Sequence, residues 1–256
     1  MAATVPSFAD KVIAITGAGS GTGRAYAIYP AHRGASLAIS DLKKATVDEV
    51  AAEILNNRPS AKIAVSVVDV SKPNQVKSWI GQTIETFGRL DGAANIAGTS
   101  GLRETAPLGA QSDEGCNLIL DVNLSGIMYC LREELQVLSE GGSIVNASSV
   151  LGLKSSPLPG GGPYIASKHG VLGLTKSAAK EYGYKNIRVN CVNPGAIDTP
   201  IMAPREGEED PMQQLFPPIA RMGSPGEVAQ LIGFLLGDES RYITGTSVVI
   251  AGGPIC

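Results

Sequence analysis

The chain is short of the residues that build metal and redox centres. It has two histidines, His32 and His169, and four cysteines, Cys116, Cys130, Cys191 and Cys256, none in a C-x-x-C pair. No metal site is expected from that inventory. Cys130 and Cys191 fall in apolar runs and read as core thiols. No apolar run is long enough to span a bilayer. Residues 1–11 carry neither a basic n-region nor an apolar h-region, so no secretory signal is expected and a reducing cytosol is the expected compartment. Charge of one sign is also scarce in any one place. The net charge is −3, the pI is about 5.5 and there is no basic block. Nucleic-acid binding therefore lacks its electrostatic footprint. The scattered lysines (Lys11, Lys43, Lys44, Lys176, Lys180) read as solvated surface.

What remains is a globular composition. Of 256 residues, 43% are hydrophobic and 31 are glycine, which suits a large core with many tight turns. Residues 11–16 form a short β-branched apolar run, as a buried parallel strand does. Gly17, Gly19, Gly21 and Gly23 follow it, and a helical pattern starts at Arg24. Strand, glycine turn and helix together suit a pyrophosphate held on backbone N–H groups, because glycine allows positive φ and close approach. Further strands are read at 36–40, 62–68, 90–95, 143–147, 186–192 and 246–250. Helices are read at 46–57, 71–87 with Ser71 as its cap, 113–138, 164–182 and 225–236. Strict alternation of strand and helix predicts an α/β fold: one doubly wound parallel sheet of about seven strands, helices on both faces, in a single domain over 1–256. Residues 199–223 carry five prolines and an acidic patch at 206–210. A long irregular loop leaving the carboxyl end of a strand suits a substrate lid, here taken as residues 196–223.

Several positions invite chemistry. Tyr164 and Lys168 are four apart at the start of a helix and share a face. An ammonium there is expected to lower the phenol's pKa and make it a proton donor or acceptor. Asp41 ends the second strand about twenty residues past the glycines, where an acid accepts from ribose hydroxyls and repels a 2′-phosphate. Its plainer alternative is a helix cap or surface carboxylate. Leu42 and Ser20 offer no cation to a 2′-phosphate, so NAD is favoured over NADP, with Lys43 and Lys44 as the counter-argument. Asp69, followed by Val70, either meets an adenine amino group or caps its loop. Small residues after Asn95 (Ala97, Gly98) let a ribose and nicotinamide pass close. Asn123 is a poor choice for mid-helix. It either has a buried role or faces solvent.

Taken together these motifs resemble the classical short-chain dehydrogenases/reductases over nearly the whole chain. Thr16-Gly17-x-x-x-Gly21-x-Gly23 is similar to the family's cofactor turn, with Thr22 where many members have Ile. Asn95, Ile96, Ala97 and Gly98 match its Asn-Asn-Ala-Gly segment apart from Ile96. Asn123, Ser149 and Tyr164-x-x-x-Lys168 match its catalytic positions. Pro194, Gly195, Ile197 and Thr199 resemble the segment that holds the nicotinamide carboxamide. Ala251 replaces a frequent Asp, and the path from Ser149 to Tyr164 is lengthened by the Pro- and Gly-rich residues 159–163.

The resemblance implies a Rossmann-type NAD(P)-binding domain and hydride transfer between nicotinamide and a carbinol or carbonyl carbon. Tyr164 would exchange the proton and Lys168 would favour the phenolate and bind the ribose. Ser149 would hold the substrate oxygen, and Asn123 would hold a relay water. It also implies a homo-oligomer, tetramer or dimer, built through the helices at 113–138 and 164–182. The rim segments 98–110, 150–163 and 199–223 contain few bases, Arg103, Lys154 and Arg205 among them. A neutral, fairly hydrophobic alcohol or ketone, cyclic or of secondary metabolism, is the expected substrate. The alternatives are an NADPH-dependent carbonyl reductase and a dinucleotide-binding sensor without turnover.

Overall fold

A computed structural model describes residues 7–100, 106–156, 160–203 and 217–253. Its seven strands are β1 (Val12–Thr16), β2 (Ser36–Asp41), β3 (Ile63–Val67), β4 (Leu90–Asn95), β5 (Leu138–Ala147), β6 (Arg188–Pro194) and β7 (Ser247–Ile250). They form one sheet in the order β3-β2-β1-β4-β5-β6-β7, every pairing parallel. The chain winds outward from β1 in one direction, then restarts at β4 in the other. The crevice at that reversal, beyond the carboxyl ends of β1 and β4, is where such sheets bind ligands.

Alternation along β1 shows why the sheet is covered on both faces. Ile13 and Ile15 join a core with Tyr26, Leu37, Ile54 and Ile232. These come from the side of α1 (Gly21–Ala31), α2 (Lys44–Asn57) and α7 (Pro225–Leu236). Val12 and Ala14 point the other way, into a core with Trp79, Leu131 and Val171. That side carries α3 (Pro73–Phe87), α5 (Gly126–Val137) and α6 (Gly162–Tyr182). Central strands buried on both faces lose the polar alternation of a half-exposed strand, which is why they read as continuous apolar runs.

Some expectations are corrected. The helix expected over 113–138 is broken: α4 (Asp113–Leu120) passes through a π-turn, Asp121–Ser125, into α5. The Gly126 N–H bonds Asp121 O, one residue further back than an α-helix allows, and the extra residue re-aims Asn123. Ser71 does not cap α3. Its hydroxyl donates to Asp69, and the helix starts on Pro73 after an extended Lys72. The strand expected at 186–192 starts at Arg188, because Asn186 turns the chain in the left-handed region with φ 57°. Arg103, Pro159, Arg205 and the acidic patch lie outside the described residues, as does most of the 199–223 loop. Cys130 and Cys191 are core thiols as expected.

Candidate active site

Three loops meet beyond the carboxyl ends of β1, β4 and β6. Gly17, with φ +67°, lies so close to the β4 turn that a Cβ would stand 2.8 Å from Ala97 Cα. A Cβ on Gly23 would fall 2.0 Å from Gly17 O, and one on Gly21 would meet Thr199 Cγ2 at 3.0 Å. Glycine is therefore required for the turn to fold under the loop that follows β6. Ser20 precedes α1 in an extended conformation and its side chain makes no capping bond. The first N–H groups of α1, Thr22 among them, keep their donors for an anion at the positive end of the helix dipole.

Asp41 is tied to this turn. Its Oδ2 accepts from Gly19 N at 2.9 Å and its Oδ1 from Lys43 N at 3.0 Å. Beside it Leu42 is exposed, and Lys44 is paired with Asp48. Asp69 accepts from both the N–H and the hydroxyl of Ser71, the loop-capping alternative. Val70 is buried against the start of α5.

Pro194 and Gly195 end β6, and Gly195 N bonds Ile250 O. Ile197 is buried and its backbone pairs with Gly223, which folds the two ends of the loop back together. The Thr199 hydroxyl donates to Ile197 O.

Ser149 follows β5 and starts a single 3-10 turn, its Oγ accepting from Leu151 N. Asn193 pins it from β6 by donating to Ser149 O at 2.7 Å. The Ser149 hydroxyl is the group that draws the Tyr164 phenol's pKa down. Lys168 is buried and donates from Nζ to Ala147 O at 2.9 Å, while Ser148 Oγ donates to Lys168 O. Lys168 Nζ stands 5.5 Å from the Tyr164 ring centroid.

The electrostatics correct one expectation. Tyr164 keeps part of its surface open, yet the atoms around its hydroxyl desolvate it enough to push the phenol above its ordinary value. The influence that draws it back is the Ser149 hydroxyl, not Lys168. The ammonium stands over the Tyr164 ring and is tied to the end of β5 through Ala147 O. Burial also pulls Lys168 itself down to about 8.

Asn123 is fully buried in the π-turn, which settles its alternatives. Its amide clasps Thr99 in both directions, Oδ1 accepting from Thr99 N at 2.8 Å and Nδ2 donating to Thr99 O at 2.9 Å. Nδ2 also reaches Ser167 Oγ. A Cβ on Gly98 would lie 3.3 Å from Asn123 Oδ1 and 3.6 Å from Lys168 Nζ. Gly98, Asn123 and Lys168 therefore border one spot.

The arrangement offers a hydroxyl pair beside a buried cation, next to a glycine cradle with an acid at its edge. Residues 17–254 match the family model described as enoyl-(acyl carrier protein) reductase. The chain belongs to the classical short-chain dehydrogenases/reductases. A short-chain dehydrogenase/reductase from Botryotinia fuckeliana, aba4, is 42% identical over 97% of this chain and 98% of its own. Cyclohexanol dehydrogenase from an Acinetobacter species is 40% identical over 96% and 95%. The crystal structure of levodione reductase superposes with a TM-score of 0.89 at 36% identity, covering 96% of this chain and 97% of that one.

This dehydrogenase/reductase also uses groups that the sequence reading passed over. Thr16 Oγ1 accepts from Ile96 N and Ala97 N, locking the β4 turn to β1. Asn193 orients Ser149. Glu134 and Asn146 hold Asn95 from beneath. Glu134 sits in an Arg132, Glu133, Glu134 run that looks like solvated charge. Its spacing from Ile127 and Leu131 places it on the buried stripe of α5, and that signal was available.

Proposed function

We propose that the chain is an NAD-dependent oxidoreductase that interconverts a secondary alcohol and its ketone, the substrate being neutral, fairly hydrophobic and cyclic. One observation carries the reading: Tyr164 and Ser149 stand with buried Lys168, whose Nζ borders Gly98 in the turn packed against Gly17. The turn suits a dinucleotide, since a side chain at Gly17 or Gly23 would strike Ala97 or Gly17 O and open the tight bend that presents the N–H groups of α1. Gly17, Ser20, Gly21, Thr22 and Gly23 would take the pyrophosphate and Asp41 with Leu42 the adenosine ribose. Asp69 and Val70 would border the adenine. Asn95, Ala97, Gly98, Tyr164 and Lys168 would face the nicotinamide ribose, and Pro194, Gly195, Ile197 and Thr199 the carboxamide. When bound, the cofactor supplies hydride transfer.

The protein's own part is the proton and the geometry. Tyr164 takes the substrate hydroxyl proton in oxidation and returns it in reduction. Ser149 donates to the substrate oxygen as charge develops there. Asn123 Oδ1 keeps an acceptor position on the side of Gly98, where a water would link Lys168 to solvent. The raised phenol pKa gives the sign with pH. The base form needed for oxidation grows as pH rises, and the acid form needed for reduction is lost.

Asp41 supports NAD, because both its oxygens are already fixed by backbone N–H groups and its charge lies at the ribose edge. The name of the Acinetobacter relative supports a cyclic alcohol, as does the scarcity of bases on the rim. A single domain with residues 196–223 as the substrate rim follows from the same reading. Exposed Leu118, Met128 and Val137 on α4 and α5 support assembly of a dimer or tetramer on that face.

The test is a panel of cyclic and acyclic secondary alcohols with NAD and with NADP at alkaline pH, read by absorbance of the reduced cofactor. Cyclic alcohols with NAD are expected to turn over fastest. Preference for NADP would replace the reading with an NADPH-dependent carbonyl reductase. Dinucleotide binding without turnover of any alcohol or ketone would replace it with a sensor.

A further inference from the structure

Beneath the site lies a polar row with unfinished hydrogen bonding. Thr16, Asn95, Asn146 and Cys191 are register partners across β1, β4, β5 and β6. Glu134 reaches this row from α5 with no exposed surface. Asn95 Nδ2 donates to Glu134 Oε2 at 3.0 Å and to Asn146 Oδ1 at 3.1 Å. Asn146 Nδ2 donates to Thr175 Oγ1, and Thr175 Oγ1 donates to Val171 O. That series fixes the orientation of every amide. Thr175 spends its proton on Val171 and must accept from Asn146 Nδ2. Asn146 then presents its oxygen to Asn95, which must present its nitrogen.

Two buried side-chain acceptors remain without a donor, Glu134 Oε1 and Asn95 Oδ1. They belong to the two groups that already share a bond. A carboxylate donates nothing, whereas a carboxylic acid supplies one O–H. An acid and a primary amide are both planar, each with a donor beside an acceptor, so a second bond can close parallel to the first. We propose that Glu134 is carried as a neutral acid whose Oε1 hydroxyl donates to Asn95 Oδ1, making a two-bond acid–amide ring that positions Asn95 and the turn it starts.

The surroundings agree. Burial pushes Glu134 up to about 7, and the Asn95 bond is the one influence that pulls it back. Among the described residues no cation compensates it. It is faced by Asn95 from β4, while the Cys130 thiol one turn back on α5 feels its charge. Asn146 on β5 and Thr175 on α6 extend the network as neutral groups. An ionised Glu134 would leave a buried charge and an unpaired oxygen, each costly.

The ring acts on the site through the chain. Asn95 ends β4, the next two N–H groups are held by Thr16, and Gly98 then meets Asn123 and Lys168. Glu134 is a positioning residue for that turn, and this part of the inference rests on the dehydrogenase reading.

The experiment compares wild type with E134Q and E134L. Glutamine keeps both bonds as an amide–amide ring without a titrating proton, and leucine removes both. Wild-type Glu134 loses its proton at about 7 folded and about 4.5 unfolded. Wild type should therefore lose Tm relative to E134Q as pH rises between those values, then run parallel above them. Parallel curves from about pH 5 to about pH 8 would overturn the proposal. Infrared spectra of wild type labelled at glutamate carboxyls give a second answer that needs no variant. A protonated-carboxyl band that disappears near pH 7 is expected, and its absence would mean an ionised Glu134 bridged by water. In dinucleotide titrations E134Q should bind within about twofold of wild type and E134L about tenfold more weakly. Equal binding by E134L would remove the positioning role. Neither melting curves nor infrared bands require turnover, so they stand apart from any failure of the proposed activity.

Discussion

Two buried cations stand at opposite ends of the sheet and are treated in opposite ways. Arg188 opens β6 at the amino end. Its NH1 donates to Leu235 O at 2.7 Å and Ser240 Oγ at 2.8 Å, and its NH2 to Gly237 O at 2.9 Å. It takes the last carbonyls of α7 at the negative end of that helix dipole, where a cation belongs. Asp91, in the same region, accepts from Val12 N and from Arg89. Lys168, at the carboxyl end, makes one hydrogen bond from Nζ, to Ala147 O. Arg188 and Asp91 are closed by the protein's own groups. The carboxyl end has left capacity where a ligand arrives, and local rules are commonly broken at functional sites.

The sharpest way to break the comparison is Tyr164→Phe. It removes the hydroxyl proposed to exchange the substrate proton and leaves the ring and the glycine turn untouched. Turnover should fall by about 10²–10⁴, read in steady-state assays, while dinucleotide binding measured by calorimetry stays unchanged. Undiminished turnover would mean that the carboxyl end is not organised around this pair. The matching cut at the amino end is Arg188→Ala. It strands the carbonyls of Leu235 and Gly237 in the core, and should cost about 3 kcal/mol in denaturant unfolding.

Lys168→Met should do the reverse. Lys168 has a folded pKa of about 8 against 10.5 unfolded. Below about 8 both states hold the proton, and the desolvation cost is fully present. Between about 8 and 10.5 the folded state releases its proton first, so stability rises with pH across that window. Methionine removes the charge and should stabilise the fold at neutral pH by about 2 kcal/mol, while turnover collapses. Wild type and variant should converge as pH climbs toward 10.5. If Lys168→Met destabilises as Arg188→Ala does, the two ends are not different in kind.

The same contrast explains what could be read from sequence. The strands and the glycine turn were legible because both are local. A parallel strand buried on both faces is an apolar run, and Gly23 must be glycine because Gly17 O lies where its Cβ would go. Ser149, Tyr164 and Lys168 were legible as a motif. Their electrostatics were not, since the phenol's pKa depends on how many atoms crowd its hydroxyl and on which way Lys168 turns. The π-turn was hidden for a related reason. Nothing near Asn123 in sequence reports that its amide is needed by Thr99, whereas that contact breaks the helix register. The place of Glu134 on the buried stripe of α5 is legible from spacing, but its partner is not, because Asn95 is 39 residues away.

The smallest effect comes from pairing two aspartates. Asp41 at the carboxyl end and Asp91 at the amino end each accept backbone N–H bonds, but only Asp91 has an arginine. Asparagine in either place keeps an oxygen for the backbone and removes the charge. At Asp91 the lost charge leaves Arg89 unpaired on a largely exposed side chain, so stability should fall slightly and cofactor preference not at all. At Asp41 the backbone bonds to Gly19 and Lys43 can persist, so the fold should stand. What disappears is the repulsion toward a 2′-phosphate and the stronger acceptor for ribose hydroxyls. The proposed preference for NAD over NADP should shrink by about tenfold, or about 1.4 kcal/mol, read as the ratio of kcat/KM for the two cofactors. An unchanged ratio in Asp41→Asn would assign that carboxylate to the turn alone, leaving cofactor choice to Lys43 and the surface beside it.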